Sequence, residues 1–397
     1  MTRGPLRPHR PPLLLCALLS AGVAASPAQA LDGQRAEVAG FVAEMADRHG
    51  FDREALGTLF TQVETRPAII EAMSRPAEKT MPWHEYRARF MTERRIRRGG
   101  EVQREQSAAL EAASRASGVP CSVLLAITGV ETFYGEITGS HRVIDALATL
   151  AFDYPARSGY FRGELEQFLL MAREESLDPL APLGSYAGAM GVPQFMPTSF
   201  RSYAVDGGGD GHRDLWRDWN DVFASVGNYL KLHGWRAGEP VMVAADVTDA
   251  RLDGVELKKL DLTETIGSLR ERGVRFDTGL PADARAVLIE LAGSAGPEYR
   301  VGFVNFHAIT RYNRSALYAS AVNDLAEALE AAPAPAQPPD PATAPASAAP
   351  RTEPSTPPAA PTATCPVPPP ATETLATPPA PAQPGPEQTA TPGSDAP

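Results

Sequence analysis

The chain changes composition abruptly near residue 331, and this change limits how much of it can fold. From residue 331 to residue 397 it consists mainly of Pro, Ala, Thr, Ser and Gln, without an aliphatic run. Such a segment cannot bury enough apolar surface to offset the entropy lost on ordering. Residues 331–397 are therefore predicted to form a disordered tail, and the fold is expected upstream.

The first thirty residues are also expected to lie outside the fold. Three arginines precede the apolar stretch 13–25, and Ala-Gln-Ala follows at 28–30. This arrangement is typical of a secretory signal peptide, and the stretch is too short for a comfortable membrane span. Cys16 lies inside the apolar stretch and follows a leucine, which argues against a lipid anchor. We therefore predict an exported, soluble mature protein.

Charge and cysteine content exclude several classes of protein. The net charge is -11, and no basic stripe with interleaved aromatic residues indicates a nucleic-acid partner. The one basic cluster, at 94–98, is expected to be a solvated helix face or a local anion contact. Cys121 and Cys365 are too few for a disulfide framework and lack metal-ligand spacing.

Apolar residues recur at intervals of three and four between residues 37 and 235, which predicts amphipathic helices. One such stripe consists of Val38, Phe41, Val42 and Met45. Ser158 is placed to cap a later helix, and either Asn220 or Asp221 is placed to cap another.

From residue 240 onward the helical spacing gives way to short runs of Val, Ile and Leu. These runs predict a small sheet at 240–247, 284–291 and 299–305. A last helical stripe follows through Leu317, Ala321, Leu325 and Leu329. We therefore expect an α+β fold that is predominantly α, over residues 31–330, with a small β-containing part inserted at about 240–305.

Glu131 lies near the end of the largely apolar segment 118–135, which is predicted to be a helix. Pro120 is expected in its first turn and Gly135 at its end. Poor solvation and the negative end of the helix dipole both favour a protonated carboxyl. A carboxyl that stays neutral suits a general acid, although this segment alone is equally consistent with an exposed residue at a frayed helix end.

Several longer motifs occur around Glu131 and after it in the chain. They read Val-Glu-Thr at 130–132, Arg-Val-Ile-Asp-Ala-Leu-Ala-Thr-Leu at 142–150, Phe-Leu-Leu-Met-Ala-Arg at 168–173, Gly-Ser-Tyr-Ala-Gly-Ala-Met-Gly at 184–191, Gln-Phe-Met-Pro-Thr-Ser at 194–199 and Ile-Thr-Arg-Tyr-Asn at 309–313. Together they resemble the lytic murein transglycosylase B family over most of the predicted fold. The resemblance implies a lysozyme-like helical catalytic core, with peptidoglycan glycan strands as the partner and Glu131 as the catalytic residue.

The resemblance also implies a mechanism with a single carboxyl group. In that family the glutamic acid protonates the oxygen of the β-1,4 bond between N-acetylmuramic acid and N-acetylglucosamine. It then removes a proton from the muramic 6-hydroxyl, which gives a 1,6-anhydromuramoyl end without a second carboxylate. Glu136 follows the predicted helix end and is expected at the surface. Two rivals stay open, a muramidase that uses water and a non-catalytic peptidoglycan-binding protein.

A substrate-binding set is implied by the same resemblance. Its members are Tyr86, Arg157, Ser185, Gln194, Tyr229, Tyr312 and Asn313. The serine and the amides can bind hydroxyl and acetamido groups, and the tyrosines can offer ring faces. The alternative for each tyrosine is a core aromatic residue whose hydroxyl has a partner within the protein.

A glycine-rich loop resembles the EF-hand-like calcium loop of the same family. Its candidate ligands are Asp206, Asp210, His212 and Asp221. The pattern is incomplete, because Gly208 and Arg217 stand where an EF-hand has oxygen ligands. A glycine-rich turn with incidental acids fits equally well. Calcium, if bound, is expected to stiffen the loop, and no cofactor is expected for the chemistry.

The signal peptide and the resemblance together predict a periplasmic protein. The composition of the tail suits a spacer across the periplasm or an anchor to other cell-wall enzymes, and equally an extension without a role.

Overall fold

The computed structural model describes residues 29–74 and 81–332. The predicted signal peptide up to residue 28 and the predicted tail from residue 333 lie outside the described residues. In chain order the elements are β1 (Gln29–Ala30), α1 (Ala36–His49), α2 (Arg53–Phe60), β2 (Glu64–Thr65), α3 (Pro67–Ser74), α4 (Trp83–Phe90), α5 (Glu93–Glu105), α6 (Ser107–Ser117), α7 (Cys121–Thr132), β3 (His141–Arg142), α8 (Val143–Asp153), α9 (Ser158–Glu174), β4 (Leu183–Gly184), α10 (Pro197–Tyr203), α11 (Trp219–Leu232), β5 (Met242–Ala245), β6 (Glu264–Thr265), α12 (Ile266–Glu271), β7 (Arg285–Gly293), β8 (Gly296–Gly302), α13 (Val304–Tyr312) and α14 (Ala316–Ala331).

Helix α7 forms the centre of the helical body. Every residue from Ser122 to Thr132 is buried, because α5, α6, α11 and α14 all pack against it. Leu124 and Leu125 are completely inaccessible to solvent. Full burial of each such aliphatic side chain contributes roughly 1.5–3 kcal/mol, so an apolar helix is stable only at this central position.

A four-stranded antiparallel sheet follows the helical body, in the order β5-β8-β7-β6. Strands β7 and β8 form a hairpin in which Gly293 pairs with Gly296. Ile266, Leu269, Leu288 and Phe303 belong to a small separate core beneath the sheet. The predicted class, predominantly α with an inserted β-containing part, is confirmed. The last strand ends earlier than predicted, because α13 begins at Val304 and buries Phe306 and Ile309 against the body.

Two predicted helix caps are wrong. Ser158 lies inside the first turn of α9, and its hydroxyl donates to the carbonyl of Ala151 at 2.5 Å. Helix α11 is capped by Asp218, which accepts from the backbone N–H of Asn220. Asp221 is buried in the first turn and binds the preceding loop instead. Each candidate has the right chemistry for a cap, but tertiary partners compete for its oxygen.

The predicted domain boundaries, after residues 30 and 330, each lie within two residues of where the described structure begins or ends. Gln29 and Ala30 form β1, which pairs with Thr65 and Glu64 of β2. At the other end α14 extends through Ala331. Among the described residues no single helix is long and apolar enough to span a membrane; α6 and α7, bent by 112° at their junction, reach that length and composition only together.

Candidate active site

Glu131 lies in the last turn of α7 and is 7% exposed. The helix begins after Pro120, whose extended backbone makes it the capping residue rather than a member of the first turn. It ends at Thr132, before the predicted stop at Gly135. The apolar sequence of α7 therefore holds one carboxyl at the end of an otherwise buried helix, where a charge is poorly solvated.

The chain reverses sharply directly after this carboxyl. Phe133 and Tyr134 both have left-handed backbone conformations, with φ of 52° and 58°. This conformation costs roughly 1 kcal/mol or more for each residue that is not glycine. The Thr132 hydroxyl donates to the carbonyl of Val192 at 2.9 Å and accepts from the N–H of Gly135 at 3.0 Å. These bonds offset the strain and fix the turn that follows Glu131.

Tyr318 of α14 forms a hydrogen bond with the Glu131 carboxyl. Its hydroxyl donates to Oε1 of Glu131 at 2.7 Å, and the tyrosine is completely buried. Burial, and then the charge of Glu131, raise the pKa of Tyr318 well above its ordinary value. The phenol therefore stays a neutral donor. Sequence analysis missed Tyr318, although it lies four positions before the buried Val322 and seven before Leu325, a spacing that places it on the core face of α14.

An aromatic wall extends from Tyr318. The Tyr312 ring stacks on it with centroids 6.4 Å apart, and Phe195 and Tyr229 lie 5.7 and 4.8 Å from Tyr312. The Tyr312 hydroxyl donates to the carbonyl of Pro193 at 2.5 Å. Burial, and then the charge of Glu131, raise the pKa of Tyr312 well above its ordinary value. The structure thus brings Glu131, Tyr312 and Tyr229 of the predicted site together.

The Tyr229 ring is more enclosed than predicted. It is 7% exposed, stacks on His233 with centroids 4.1 Å apart and contacts Tyr203 at 4.8 Å. Its hydroxyl donates to the carbonyl of Arg311 at 2.6 Å. These contacts match the alternative that the sequence left open, a core aromatic residue with a satisfied hydroxyl.

The predicted polar residues line the turns beside α7. Ser185 Oγ accepts from the N–H groups of Ala187 and Ala189 at 3.3 and 3.0 Å. Gln194 has a left-handed backbone (φ 51°), and its amide nitrogen donates to the carbonyls of Thr138 and Gly191 at 3.1 and 2.9 Å. These bonds leave the Gln194 amide oxygen as the group available to a ligand.

Gly188 belongs to the same turns, and Asn313 lies at the end of α13. Gly188 (φ +84°) packs against Leu147 so closely that a Cβ at position 188 would overlap the Leu147 side chain. Asn313 follows α13 and is 4% exposed.

Two other predicted residues are Tyr86 and Arg157. Tyr86 is completely buried and packs against Phe90 with centroids 5.1 Å apart, so its ring offers no open face. After burial and the charge of Glu131, Tyr86 also raises the pKa of Tyr318, so it lies close to the partner of the carboxyl. Arg157 is half-buried, and its guanidinium lies 4.4 Å from the Tyr160 ring centroid and 5.0 Å from that of Phe161. The structure thus places Arg157 at the start of α9, in contact with rings of that helix.

The carboxylates of the glycine-rich loop accept hydrogen bonds from backbone N–H groups of the same loop. Asp206 accepts from the N–H groups of Gly209, Asp210 and Gly211, while Asp221 accepts from those of Gly207, Gly208 and Asp214. Within the described residues no three Asp, Glu, His or Cys side chains converge on one point. Calcium also takes backbone carbonyl oxygens as ligands, and each carboxylate keeps lone pairs that the N–H groups do not use. The hydrogen bonds therefore order the loop and leave both carboxylates able to bind a cation.

The fold and sequence match those of known proteins. Residues 33–327 match the family described as Transglycosylase SLT domain. Membrane-bound lytic murein transglycosylase B of Escherichia coli is 40% identical over 299 residues, which are 73% of this chain and 81% of that protein. The soluble lytic transglycosylase SltB1 from Pseudomonas aeruginosa is 48% identical, with a TM-score of 0.71, over 74% of this chain and 98% of that one.

Two similar structures hold ligands. The Escherichia coli lytic transglycosylase Slt35 in complex with calcium is 38% identical, with a TM-score of 0.69, over 76% of this chain and 96% of that one. SltB3 from Pseudomonas aeruginosa in complex with NAG-NAM-pentapeptide is 32% identical, with a TM-score of 0.66, over 74% and 79%. Since these matches cover most of the chain, the protein belongs to the family of transglycosylases with an SLT domain and has their lysozyme-like fold.

Proposed function

We propose that this protein is a peptidoglycan lytic transglycosylase that cleaves the β-1,4 bond between N-acetylmuramic acid and N-acetylglucosamine. Glu131 protonates the bridging oxygen and then, as a carboxylate, removes the proton of the muramic 6-hydroxyl. The product carries a 1,6-anhydromuramoyl end. One carboxyl performs both steps because the substrate provides the attacking hydroxyl.

The observation that carries this proposal is the environment of Glu131. Burial at the end of α7 favours the protonated carboxyl that begins the reaction. The hydrogen bond from Tyr318 supports the carboxylate that forms after the first proton transfer. Because burial favours the protonated carboxyl and Tyr318 supports the carboxylate, Glu131 can exist in both forms during one catalytic cycle.

Two other carboxylates of the helical body are engaged elsewhere, which supports a mechanism with one carboxyl. Glu136 is 39% exposed and forms ion pairs with Arg94 and Arg98 at 3.1 and 3.4 Å. The buried Glu164 accepts from the N–H of Thr198 at 2.9 Å.

The remaining site residues are proposed to bind the glycan strand. Ser185, the Gln194 amide oxygen and Asn313 would bind hydroxyl and acetamido groups, while Tyr312 and Tyr229 shape the wall on which the sugars lie. A second group consists of Tyr86 and Arg157. Because the whole Tyr86 side chain is buried, it would support the site from within the core rather than touch the strand, and Arg157 would contribute its guanidinium charge.

The segments on either side of the fold have proposed roles as well. Residues 1–30 act as a signal peptide and 31–330 form the catalytic domain in the periplasm. Residues 331–397 form a tail that serves as a spacer across the periplasm or as an anchor to other cell-wall enzymes. The chemistry needs no cofactor, and any calcium in the glycine-rich loop has a structural role only.

Analysis of the products tests the proposed reaction. Purified sacculi would be digested with the enzyme and the released muropeptides measured by mass spectrometry. Ends that lack the mass of one water relative to reducing muramic acid support the proposal. Hydrated reducing ends would instead identify a muramidase, and intact sacculi with the protein bound would identify a non-catalytic binding protein.

A further inference from the structure

A basic face borders the aromatic wall of the site. It consists of His307, Arg311 and Arg314, at the end of α13 and directly after it. Arg311 and Arg314 are both exposed, and they flank Tyr312 and Asn313 in the chain. The carbonyl of Arg311 binds the Tyr229 hydroxyl at 2.6 Å, so the backbone that carries this face is fixed to the wall.

The charge of the basic face is largely uncompensated. In the described ranges, Asp261 lies 3.9 Å from Nε2 of His307, and no carboxylate lies within 4.0 Å of the guanidinium of Arg311 or Arg314. Burial first, and then Arg311, lower the pKa of His307; Arg314 lowers it further, while Asp261 opposes them. Burial also lowers the pKa of His233; its hydrogen bond to the Tyr229 carbonyl opposes this, and Arg311 lowers the pKa further. The charge of Arg311 thus reaches His307 in α13 and His233 directly after α11, whose ring stacks on Tyr229.

The kind of anion follows from the size of the face and the charge of the chain. A lipid surface or a nucleic acid is bound through broad basic surfaces, whereas this protein carries a net charge of -11. Two guanidinium groups beside a sugar cleft instead suit one or two carboxylates on a ligand that other contacts already hold. Planar guanidinium groups bind carboxylates in a two-pronged geometry, which adds selectivity.

We propose that Arg311 and Arg314 bind the carboxylates of the peptide stem carried by the muramic acid in the cleft, and thereby select strands that carry peptides. This assignment rests on the proposed function, because it needs a glycan strand lying along Tyr312. The two arginines are specificity-determining residues and do not take part in proton transfer.

The test compares wild-type enzyme with Arg311→Gln/Arg314→Gln on three sets of glycan strands. The first set carries native peptide stems. In the second the stem carboxylates have been converted to amides with carbodiimide and ammonia. In the third an amidase has removed the stems, which leaves the lactyl carboxylate of muramic acid. The values of kcat and KM are measured from the released muramoyl ends.

On native strands we expect the variant to raise KM about fivefold with kcat unchanged within about twofold, since two exposed charge pairs are lost. On amidated strands the two enzymes should give the same KM. The difference on native strands should shrink in about 0.5 M salt, which screens exposed charges. An unchanged KM on native strands, or an equal increase on amidated strands, would overturn the assignment. An equal difference on the strands without stems would show that the stem carboxylates do not decide binding, and would also overturn the assignment.

Two control variants separate charge recognition from structure. Arg311→Lys/Arg314→Lys keeps both charges and should hold KM within about twofold of wild type. Arg251→Gln removes an exposed arginine from the inserted β-containing part and should leave KM unchanged. If the glutamine variant lost binding to anionic vesicles while its KM stayed constant, the face would be a membrane contact and the assignment would fail. The chemistry of the ends tests the proposed function separately, since hydrated ends would refute that function whatever the KM values.

Discussion

The hydroxyl of Tyr318 donates a 2.7 Å hydrogen bond to Oε1 of Glu131, across 187 positions in the sequence. Both side chains are buried, and they belong to α14 and α7, which pack against each other along the centre of the body. Because the Tyr318 phenol stays neutral, it always donates a hydrogen bond to Glu131 and never accepts the proton that Glu131 carries. The bond therefore stabilises the carboxylate without competing for the proton that Glu131 transfers.

Removing the donor of this hydrogen bond should slow the reaction and shift its pH dependence. Tyr318→Phe keeps the ring but removes the donor, so the carboxylate loses support and the carboxyl stays protonated to higher pH. We expect kcat to fall about tenfold and the alkaline limb of the rate–pH profile to move to higher pH, as for the loss of one hydrogen bond to a charged group. Tyr299→Phe removes a 2.9 Å hydrogen bond from a tyrosine to Glu290 at the surface and should change neither quantity. An unaltered pH profile in Tyr318→Phe would contradict the assigned role.

Replacing the carboxyl itself tests the acid–base assignment. Glu131→Gln should lower kcat by a factor of about 100 to 10,000, the usual contribution of general acid–base catalysis, while binding to sacculi is retained. The matched control is Glu136→Gln, which removes a surface carboxylate five residues further on and should keep nearly full activity. Comparable rates in Glu131→Gln and wild type would remove Glu131 from the mechanism.

Close packing behind the site predicts a large effect of one methyl group. A Cβ at Gly99 of α5 would overlap the Tyr134 hydroxyl and the Leu329 side chain. Gly99→Ala should therefore lower the free energy of unfolding by about 1–3 kcal/mol and reduce kcat, because Tyr134 belongs to the turn after Glu131. The control Gly57→Ala in α2 adds a Cβ with no atom within 4 Å and should instead stabilise by about 0.5–1 kcal/mol. Urea denaturation measures both, and equal stabilities would refute the packing argument.

The pH dependence of stability should differ in sign between two glutamates of α9. Burial raises the pKa of Glu164 above its ordinary value of 4.5. Folded wild type then binds the proton of Glu164 more tightly than unfolded wild type does. Wild type loses this contribution to its stability as pH rises through the folded pKa. Relative to wild type, Glu164→Gln should therefore become more stable as pH rises above about 4.5.

Glu174 provides the opposite case. Its hydrogen bond with Arg201 lowers the pKa of Glu174, so the carboxylate contributes stability that is lost as pH falls through the folded pKa. Relative to wild type, Glu174→Gln should therefore become less stable as pH rises toward 4.5. Urea denaturation between pH 3 and 7 measures both variants, and parallel curves for the two would contradict the assigned burial and pairing.

Removal of calcium should not affect the rate. Asp206 and Asp221 bind backbone N–H groups of their loop, so we expect EGTA to leave kcat within about twofold. Asp221→Ala should lower the free energy of unfolding by about 1–3 kcal/mol with or without calcium, because three backbone N–H groups of the loop lose their acceptor. A rate that disappears in EGTA and returns only with calcium would contradict this expectation.

Local patterns predicted the helix that carries Glu131 and the region of the inserted sheet, because alternation and periodicity record which faces are buried. They failed for the caps at Ser158 and Asp221, where a distant carbonyl or a neighbouring loop competes for the same polar atom. The glycine-rich loop was located from its spacing. The spacing could not reveal that its carboxylates bind N–H groups rather than converge on one point.

The sequence by itself determined that an apolar helix would carry one carboxyl near its end. It also determined that glycine-containing turns and tyrosines would belong to the same site. Only the tertiary structure decided which tyrosine binds that carboxyl, which predicted ring is covered, and which arginines lie unpaired beside the wall. The physical reason is that periodicity fixes the buried face of each element separately. Hydrogen bonds and electrostatic potential depend on how faces distant in the chain meet, and no local pattern encodes that.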